Sequence, residues 1–93
     1  MEDFDGMEPV IVDLEDVIDL HTFRPADVPD LLNEYIRACA EKGYASVRIV
    51  HGKGRGILKK RVEKILARHP RVTSFHPAPL EAGGWGATIA VLK

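Results

Sequence analysis

The chain has 93 residues, of which 13 are basic, 14 are acidic and one is cysteine. This length fits one domain and is too short for a TIM barrel, a full dinucleotide-binding fold or an enzyme with a cleft between two domains. A single cysteine excludes an internal disulfide and a zinc site built from several cysteines. The sequence has no signal-peptide pattern and no apolar run of membrane length, so we expect a cytoplasmic protein.

The net charge of −1 conceals two regions of opposite sign. Residues 1–16 contain seven acids and no base, whereas residues 17–93 contain the other seven acids and all 13 bases. Within the second region, residues 48–71 carry nine bases and one acid. Such a stretch predicts contact with a polyanion, although a solvated basic helix face is the alternative.

The first predicted elements follow an acidic segment. Residues 1–8 are interpreted as a flexible tail that precedes a domain at residues 9–93. Residues 10–14 fit a short strand, and residues 17–21 alternate as a strand does, with Ile18 and Leu20 on one face.

A helix is predicted after Pro25, with Asp27 as its N-cap and Gly43 at its C-terminal cap. Its apolar stripe is Val28, Leu31, Leu32, Tyr35, Ile36 and Cys39. The position of Cys39 on that stripe favours burial over reactivity.

The second half repeats the strand–helix order and then ends in two strands. Residues 46–51 form a strand rich in β-branched residues, and a glycine loop at 51–56 leads into a helix from about residue 57 to 68. Pro70 predicts that this helix ends near His69. Strands follow at residues 72–76 and 87–92, separated by a glycine-rich loop at 80–86.

The order is therefore βαβαββ, with an additional short strand allowed at the start. Two successive strand–helix units imply parallel strands with right-handed crossovers, and hence both helices on one face of the sheet. The predicted fold class is α/β: a two-layer sandwich with a mixed sheet of roughly four strands.

Polar motifs follow two predicted parallel strands, where ligands of open α/β sheets usually bind. Asp19 and His21, two apart on a strand, share a face, so the carboxylate can orient the imidazole for proton transfer. A loop cap at Asp19 with His21 merely ending the strand is the alternative. If the strands are neighbours, His51 converges with this pair and is a third candidate catalytic residue.

The loop after the second strand contains Gly52, Lys53, Gly54, Arg55 and Gly56. Its glycines allow successive amides to face one point, and a helix N-terminus and two cations add positive charge, so we predict a phosphate site. The spacing is that of neither a Walker A loop nor a dinucleotide-binding loop. A tight strand-to-helix turn with incidental charge is the alternative.

Two further groups extend this candidate binding surface. The basic face of the second helix presents Lys59, Lys60 and Lys64, and the segment Gly84-Trp85-Gly86 places an indole between glycines. The indole is either an exposed platform for a nucleobase or a cover over the core. No metal site is evident, because His21 and His51 lack a third and fourth ligand nearby, and no cofactor is predicted.

Three motifs in register resemble those of the Smr (small MutS-related) domain family over residues 10–93. They are Asp19-Leu20-His21, then His51-Gly52-Lys53-Gly54 with Gly56-Ile57-Leu58, and finally Gly83-Gly84-Trp85-Gly86-Ala87-Thr88. Many members continue Asp-Leu-His with glycine, whereas Thr22-Phe23 follows here. The resemblance implies a βαβαββ fold like that of the C-terminal domain of translation initiation factor three, in a stand-alone, bacterial-type member.

The resemblance also implies nicking or cleavage of DNA or RNA, including mRNA cleavage on stalled ribosomes. It associates Asp19 and His21 with cleavage, and His51, Gly52 and Gly54 with substrate binding. We therefore expect an endonuclease whose partners are DNA, RNA or the ribosome, and no membrane. A non-catalytic module binding nucleic acid or the ribosome is the main alternative, and an enzyme acting on a small phosphate compound is a weaker one.

Overall fold

The computed structural model describes residues 14–54 and 56–93. It contains four strands, β1 (Val17–Asp19), β2 (Ser46–Val50), β3 (Val72–Pro77) and β4 (Ala87–Leu92). Two helices, α1 (Val28–Lys42) and α2 (Ile57–Arg68), lie between them in the chain. The predicted acidic tail and nearly all of the allowed strand at residues 10–14 lie outside the described residues, as does Arg55.

The four strands form one mixed sheet in the order β1-β2-β4-β3. Strands β1 and β2 are parallel neighbours, with Ile18 opposite Ile49 and Asp19 opposite Val50. Strand β4 runs antiparallel to both β2 and β3 and lies between them. The predicted α/β fold with two helices and a four-stranded mixed sheet is confirmed. The crossover through α2 passes over the position that β4 fills.

Helix α1 begins after a 3-10 turn at Pro25–Asp27. Asp27 occupies the N-cap position, but the prediction of a side-chain cap is wrong, because its backbone is already helical and its carboxylate accepts from Arg24 Nε at 3.1 Å. The predicted C-terminus is confirmed: Gly43 adopts a left-handed conformation (φ 96°), and its N–H donates to the Ala40 carbonyl.

Helix α2 has the limits that the sequence predicts. Gly56 precedes it in a left-handed conformation (φ 78°), and the extended residue His69 follows it, as expected for a residue before proline. Its apolar side chains Val62 and Leu66 are fully buried, while Leu58 and Ile65 pack partly buried against the same core.

The core lies between the two helices and one face of the sheet. Its fully buried large side chains are Leu20, Val28, Leu32, Ile36, Val47, Ile49, Val62 and Leu66. Their transfer from water is the main stabilising term, roughly 1.5–3 kcal/mol for each large apolar side chain. Both helices therefore cover the same face of the sheet, as predicted.

The glycine-rich segment before β4 is more regular than the predicted loop. It forms two 3-10 turns, Leu80–Ala82 and Gly84–Gly86. The first turn approaches the sheet face that the helices leave uncovered, where Arg48 of β2 donates to the Ala82 carbonyl at 2.9 Å. Across residues 14–54 and 56–93, no helix has the length and apolar character needed to span a bilayer.

Candidate functional site

The carboxyl ends of β1 and β2 meet at one edge of the sheet, because the two strands are parallel neighbours. Just beyond β1, the Leu20 N–H donates to the Val50 carbonyl at 2.8 Å, which holds the two chain exits together. The segments that follow carry the predicted site residues, so the expected grouping of these motifs at one edge is present in the backbone.

Asp19 and His21 form a hydrogen-bonded pair on the solvent side of that edge. Asp19 Oδ1 lies 2.5 Å from His21 Nδ1 and 3.0 Å from the His21 backbone nitrogen. These hydrogen bonds, the side-chain one first, hold the pKa of Asp19 below its ordinary value. Because a carboxylate only accepts, the proton of a neutral His21 lies on Nδ1, and its Nε2 lone pair is left available. The His21 side chain is 66% exposed.

His51 is held quite differently, since only 5% of it is exposed. Its Nδ1 lies 3.0 Å from the Gly52 carbonyl and its Nε2 lies 2.9 Å from Thr88 Oγ1. A carbonyl only accepts, so Nδ1 donates to it, and in the neutral ring Nε2 accepts from the Thr88 hydroxyl. With both ring nitrogens occupied, this geometry favours a positioning role for His51 over the catalytic role predicted for it.

The glycine loop adopts the backbone that its sequence requires. Gly52, Gly54 and Gly56 all have positive φ, at 82°, 20° and 78°. The loop and the start of α2 enclose a cavity of about 180 Å³, lined by His51, Gly52, Gly54, Gly56, Ile57, Leu58 and Lys59. The first-turn amides of α2 have no side-chain cap from Gly56, so the positive end of the helix opens towards this cavity.

Two of the loop amides serve the fold rather than a ligand. The N–H groups of His51 and Gly52 both donate to the Gly86 carbonyl at 2.9 Å. The Gly52 amide is therefore not available to an anion, and what Gly52 can supply to the predicted phosphate site is the left-handed backbone of the loop. The amides left to face an anion belong to the later part of the loop and the first turn of α2. Arg55, predicted as a loop cation, lies outside the described residues.

The Gly84–Gly86 turn packs directly on the glycine loop. A Cβ on Gly86 would lie 3.5 Å from Lys53 Cγ and 3.6 Å from the Gly52 carbonyl carbon, which is ordinary contact. The stricter requirement is at Gly83, where φ is 117° and a Cβ would lie 2.9 Å from the Ala87 Cβ. Residue 83 must therefore be glycine for the chain to adopt the turn that places Gly86 against the glycine loop.

Trp85 is exposed, with 72% of its surface accessible, so the alternative in which it covers the core is wrong. The Lys59 ammonium lies 4.6 Å from the centre of the indole ring, a cation–π contact that joins α2 to the Gly84–Gly86 turn. An exposed indole beside a cation can stack a base and bind its phosphate.

The predicted basic residues of α2 are not gathered at one place. Lys59 lines the glycine-loop cavity and Lys60 is exposed beside it in sequence. Lys64 instead lines a separate groove of about 650 Å³ between the two helices, with Arg68 and Arg71. At 1.5 Å per residue, Lys64 lies roughly 10 Å along the helix from Ile57, so it belongs to a more remote part of the surface.

The structure adds residues that sequence reasoning does not select. Thr88 is buried and is the hydrogen-bond partner of His51 Nε2. Phe23, Ile57 and Arg61 line a second groove together with His21. The sequence signal for these was weak: Thr88 and Ile57 occur in the quoted motifs without a predicted role, and Phe23 lies more than thirty residues from Ile57 and Arg61.

The remaining histidine of the helical layer has a structural role. His69 Nδ1 accepts from the Arg71 N–H at 3.1 Å, and Nε2 lies 3.1 Å from the Asn33 carbonyl of α1. The ring therefore ties the end of α2 to α1. Over the described part of the chain, no three His, Cys, Asp or Glu side chains come together as a potential metal site.

Comparison with known proteins identifies the family. The family model described as the Smr domain matches residues 18–93, which is most of the chain. The chain belongs to the Smr domain family. The crystal structure of the Smr domain of Thermus thermophilus MutS2 superposes with a TM-score of 0.77 at 31% identity, covering 83% of this chain and 96% of that one. YdaL, a stand-alone small MutS-related protein from Escherichia coli, shares the fold (TM-score 0.78, 24% identity, 83% of this chain and 63% of that one).

Curated relatives carry this Smr domain within longer chains. Endonuclease MutS2 of Helicobacter pylori is 41% identical over 75 residues, which are 81% of this chain and 10% of that protein. Ribosome rescue factor SmrB of Aliivibrio fischeri is 37% identical over 76 residues, which are 82% of this chain and 43% of that protein. The matched part of the chain thus spans about a tenth of the length of MutS2 and less than half of the length of SmrB.

Proposed function

We propose that this Smr domain is a nucleic-acid endonuclease in which His21, oriented by Asp19, transfers the proton of the cleavage reaction. The observation that carries the proposal is the exposed Asp19–His21 pair, whose imidazole is held through Nδ1 and open at Nε2. Two relatives, named an endonuclease and a ribosome rescue factor, support nuclease-type work on nucleic acid.

The phosphate of the scissile bond is placed at the glycine loop. A non-bridging phosphate oxygen suits this place, because the positive end of α2, the left-handed loop backbone and the Lys53 ammonium all favour an anion. These contacts read no base, so they supply affinity without sequence preference. The same electrostatic term makes the affinity fall steeply with salt.

In the reaction, His21 Nε2 takes a proton from the attacking oxygen, a 2′-hydroxyl of RNA or a water molecule, as the new O–P bond forms. The old P–O bond breaks, and the departing oxygen takes a proton from the imidazolium or from solvent. The Asp19 carboxylate stabilises the positive imidazolium that forms in between. His51 keeps the loop in place through Thr88 and the Gly52 carbonyl and does not take part in the proton transfer.

The test is a cleavage assay on labelled RNA and supercoiled DNA, with and without a chelator, using His21→Ala and a matched His76→Ala control. His76 is an exposed histidine of β3 and lies outside both site cavities. We expect cleavage to fall by about 10²–10⁴-fold in His21→Ala and to persist in His76→Ala. Unchanged cleavage by a folded His21→Ala protein contradicts the assignment.

A non-catalytic module that binds RNA, DNA or the ribosome is the second candidate. The exposed Trp85 ring with the Lys59 ammonium over it favours this module, because the two can bind a strand without the Asp19–His21 pair. Binding that weakens steeply with salt, with no strand cut by the wild-type protein, would select this module. An RNA with a single 2′-deoxy linkage separates the two attacking groups: cleavage lost at that linkage indicates the 2′-hydroxyl, and cleavage retained there indicates water.

A further inference from the structure

A second groove, of about 420 Å³, opens beside His21 where the chain leaves β1 and passes α2. It is lined by Leu20, His21, Phe23, Pro25, Ile57, Leu58 and Arg61. Phe23 is 43% exposed and Ile57 is 59% exposed. Two large apolar side chains exposed together beside the reactive imidazole indicate a contact surface for an apolar, flat ligand.

The exposure of Phe23 is fixed by local structure. Its N–H donates to the Leu20 carbonyl at 3.1 Å, which closes a turn directly after the Asp19–His21 pair. The next residues are held by the ion pair between Arg24 and Asp27 and by the 3-10 turn at Pro25. The Phe23 ring is thus held at the site by this turn, one residue after Thr22, where the chain departs from the Asp-Leu-His-Gly pattern.

This groove adjoins the glycine-loop cavity, because Ile57 and Leu58 line both. Its rim is positive: Arg61 is exposed and takes part in none of the ion pairs found among the described residues. A strand bound at the glycine loop therefore passes beside the groove that Phe23 lines. In the other direction, the loop leads to Lys59 and Trp85.

We propose that this groove is a nucleobase subsite, in which an unpaired base next to the bond being cut stacks on Phe23 over Ile57. The inference rests on the proposed function, since the glycine loop must hold the phosphate that delivers the base. Arg61 at the rim binds the phosphate on the far side of that base. A base inside a duplex is stacked and paired and cannot enter, so the substrate class is a single strand or a duplex with an unpaired nucleotide.

The experiment compares three forms of one labelled strand. The first is intact and unpaired, and the second is a series in which each nucleotide near the cut is replaced in turn by an abasic one. The third is the intact strand annealed to its full complement. Binding is measured by fluorescence anisotropy in a His21→Ala background, which keeps the strand intact. Wild-type Phe23, Phe23→Ala and the conservative Phe23→Tyr are compared in that background. Cleavage is measured separately with His21 present.

We expect Phe23→Ala to weaken binding of the intact strand about tenfold and to leave unchanged the binding of the strand that is abasic at the stacking position. Phe23→Tyr keeps the ring and should bind as Phe23 does. The complementary duplex should bind more weakly than the single strand and be cut more slowly. The abasic comparison made with Phe23 in place does not depend on the folding of any Phe23 variant.

Equal losses on intact and abasic strands, or equal binding of duplex and single strand, would overturn the subsite. The two proposals fail separately. If the wild-type protein cuts every form equally and Phe23→Ala does the same, the endonuclease stands and the subsite is wrong. If nothing is cut but the abasic discrimination persists, the subsite stands as part of a binding module and the endonuclease is wrong.

Discussion

The ends of β1 and β2 lie side by side, and each is followed by a histidine, yet the two rings differ in exposure and in hydrogen bonding. His21 is exposed, is held by Asp19 through one nitrogen and has the other available. His51 is buried and has partners at both nitrogens, the Gly52 carbonyl and the Thr88 hydroxyl. The end of β1 therefore carries an exposed imidazole paired with a carboxylate, and the end of β2 carries a buried imidazole that joins the glycine loop to β4.

The difference follows from where each histidine lies relative to the strand before it. Asp19 lies opposite Val50 at the ends of the two parallel strands. His21 comes two residues after β1, in a turn at the surface, where Asp19 holds its ring. His51 comes directly after β2 and is buried, with its ring bound to Thr88 of β4. A difference of one residue in position beyond the strand thus separates an exposed histidine from a buried one.

The largest expected effect is at the end of β1. Asp19→Asn keeps the size of the side chain and removes its charge, so the imidazolium of the reaction loses its stabilising partner. Cleavage should fall by about 10²–10⁴-fold, while the free energy of unfolding changes by less than about 0.5 kcal/mol because the site is exposed. Steady-state cleavage rates and a denaturant titration measure the two quantities. A cleavage rate within twofold of wild type would remove Asp19 from the mechanism.

The reverse pattern is expected at the end of β2. Thr88→Val is nearly isosteric but leaves the buried Nε2 of His51 without its hydroxyl partner. It should lower the free energy of unfolding by about 1–3 kcal/mol. Thr73→Val is the matched control, because Thr73 is exposed and its hydroxyl donates to the Val91 carbonyl at the surface. Equal stability of the two variants would show that His51 does not depend on Thr88.

A smaller effect is expected where the glycine loop meets the indole. Lys59→Gln removes the cation over Trp85, so affinity for a single strand should fall several-fold and the salt dependence should decrease by about one phosphate contact. Lys42→Gln is the control, since Lys42 lies 5.3 Å from the Tyr44 ring centre in a similar contact at the far end of α1. If both substitutions weaken binding alike, the loss reflects net charge and not the Lys59–Trp85 platform.

The smallest effect concerns the titration of Asp19. Its pKa is lower in the folded protein than in the unfolded chain, so the carboxylate contributes stability above its ordinary pKa and loses it as the pH falls through the lower folded value. His21→Ala should raise the Asp19 pKa only part of the way, because the amide of residue 21 still donates to the carboxylate. Carboxyl NMR titration measures both values, and no change on substitution would contradict the side-chain hydrogen bond.

Much of the fold was predictable because its signals are local. The apolar stripe of α1, the stop at Gly43 and the end of α2 before Pro70 each depend on residues within a few positions of one another. The Asp19–His21 pair is local as well, although β1 ends at Asp19 and not at the predicted residue 21, so the turn after the strand brings the two side chains together. The predicted side-chain N-cap at Asp27 is not formed, because Arg24, three residues earlier, donates to the Asp27 carboxylate.

The contacts that complete the candidate site join distant parts of the chain. The Gly86 carbonyl reaches the amides of His51 and Gly52 only because β4 inserts between β2 and β3. The same insertion brings Thr88 to His51, and the packing of α2 brings Ile57 towards Phe23.

The sequence by itself determined the two helices, the four strands, the charge of the loop region and the Asp19–His21 pair, since neighbouring residues settle each of these. Only the tertiary structure decided that His51 is buried with hydrogen bonds at both ring nitrogens, that Trp85 is exposed, and that Phe23 lines a groove with Ile57. The physical reason is that burial and hydrogen-bond partners depend on which distant segments pack together, and strand order and register set that packing.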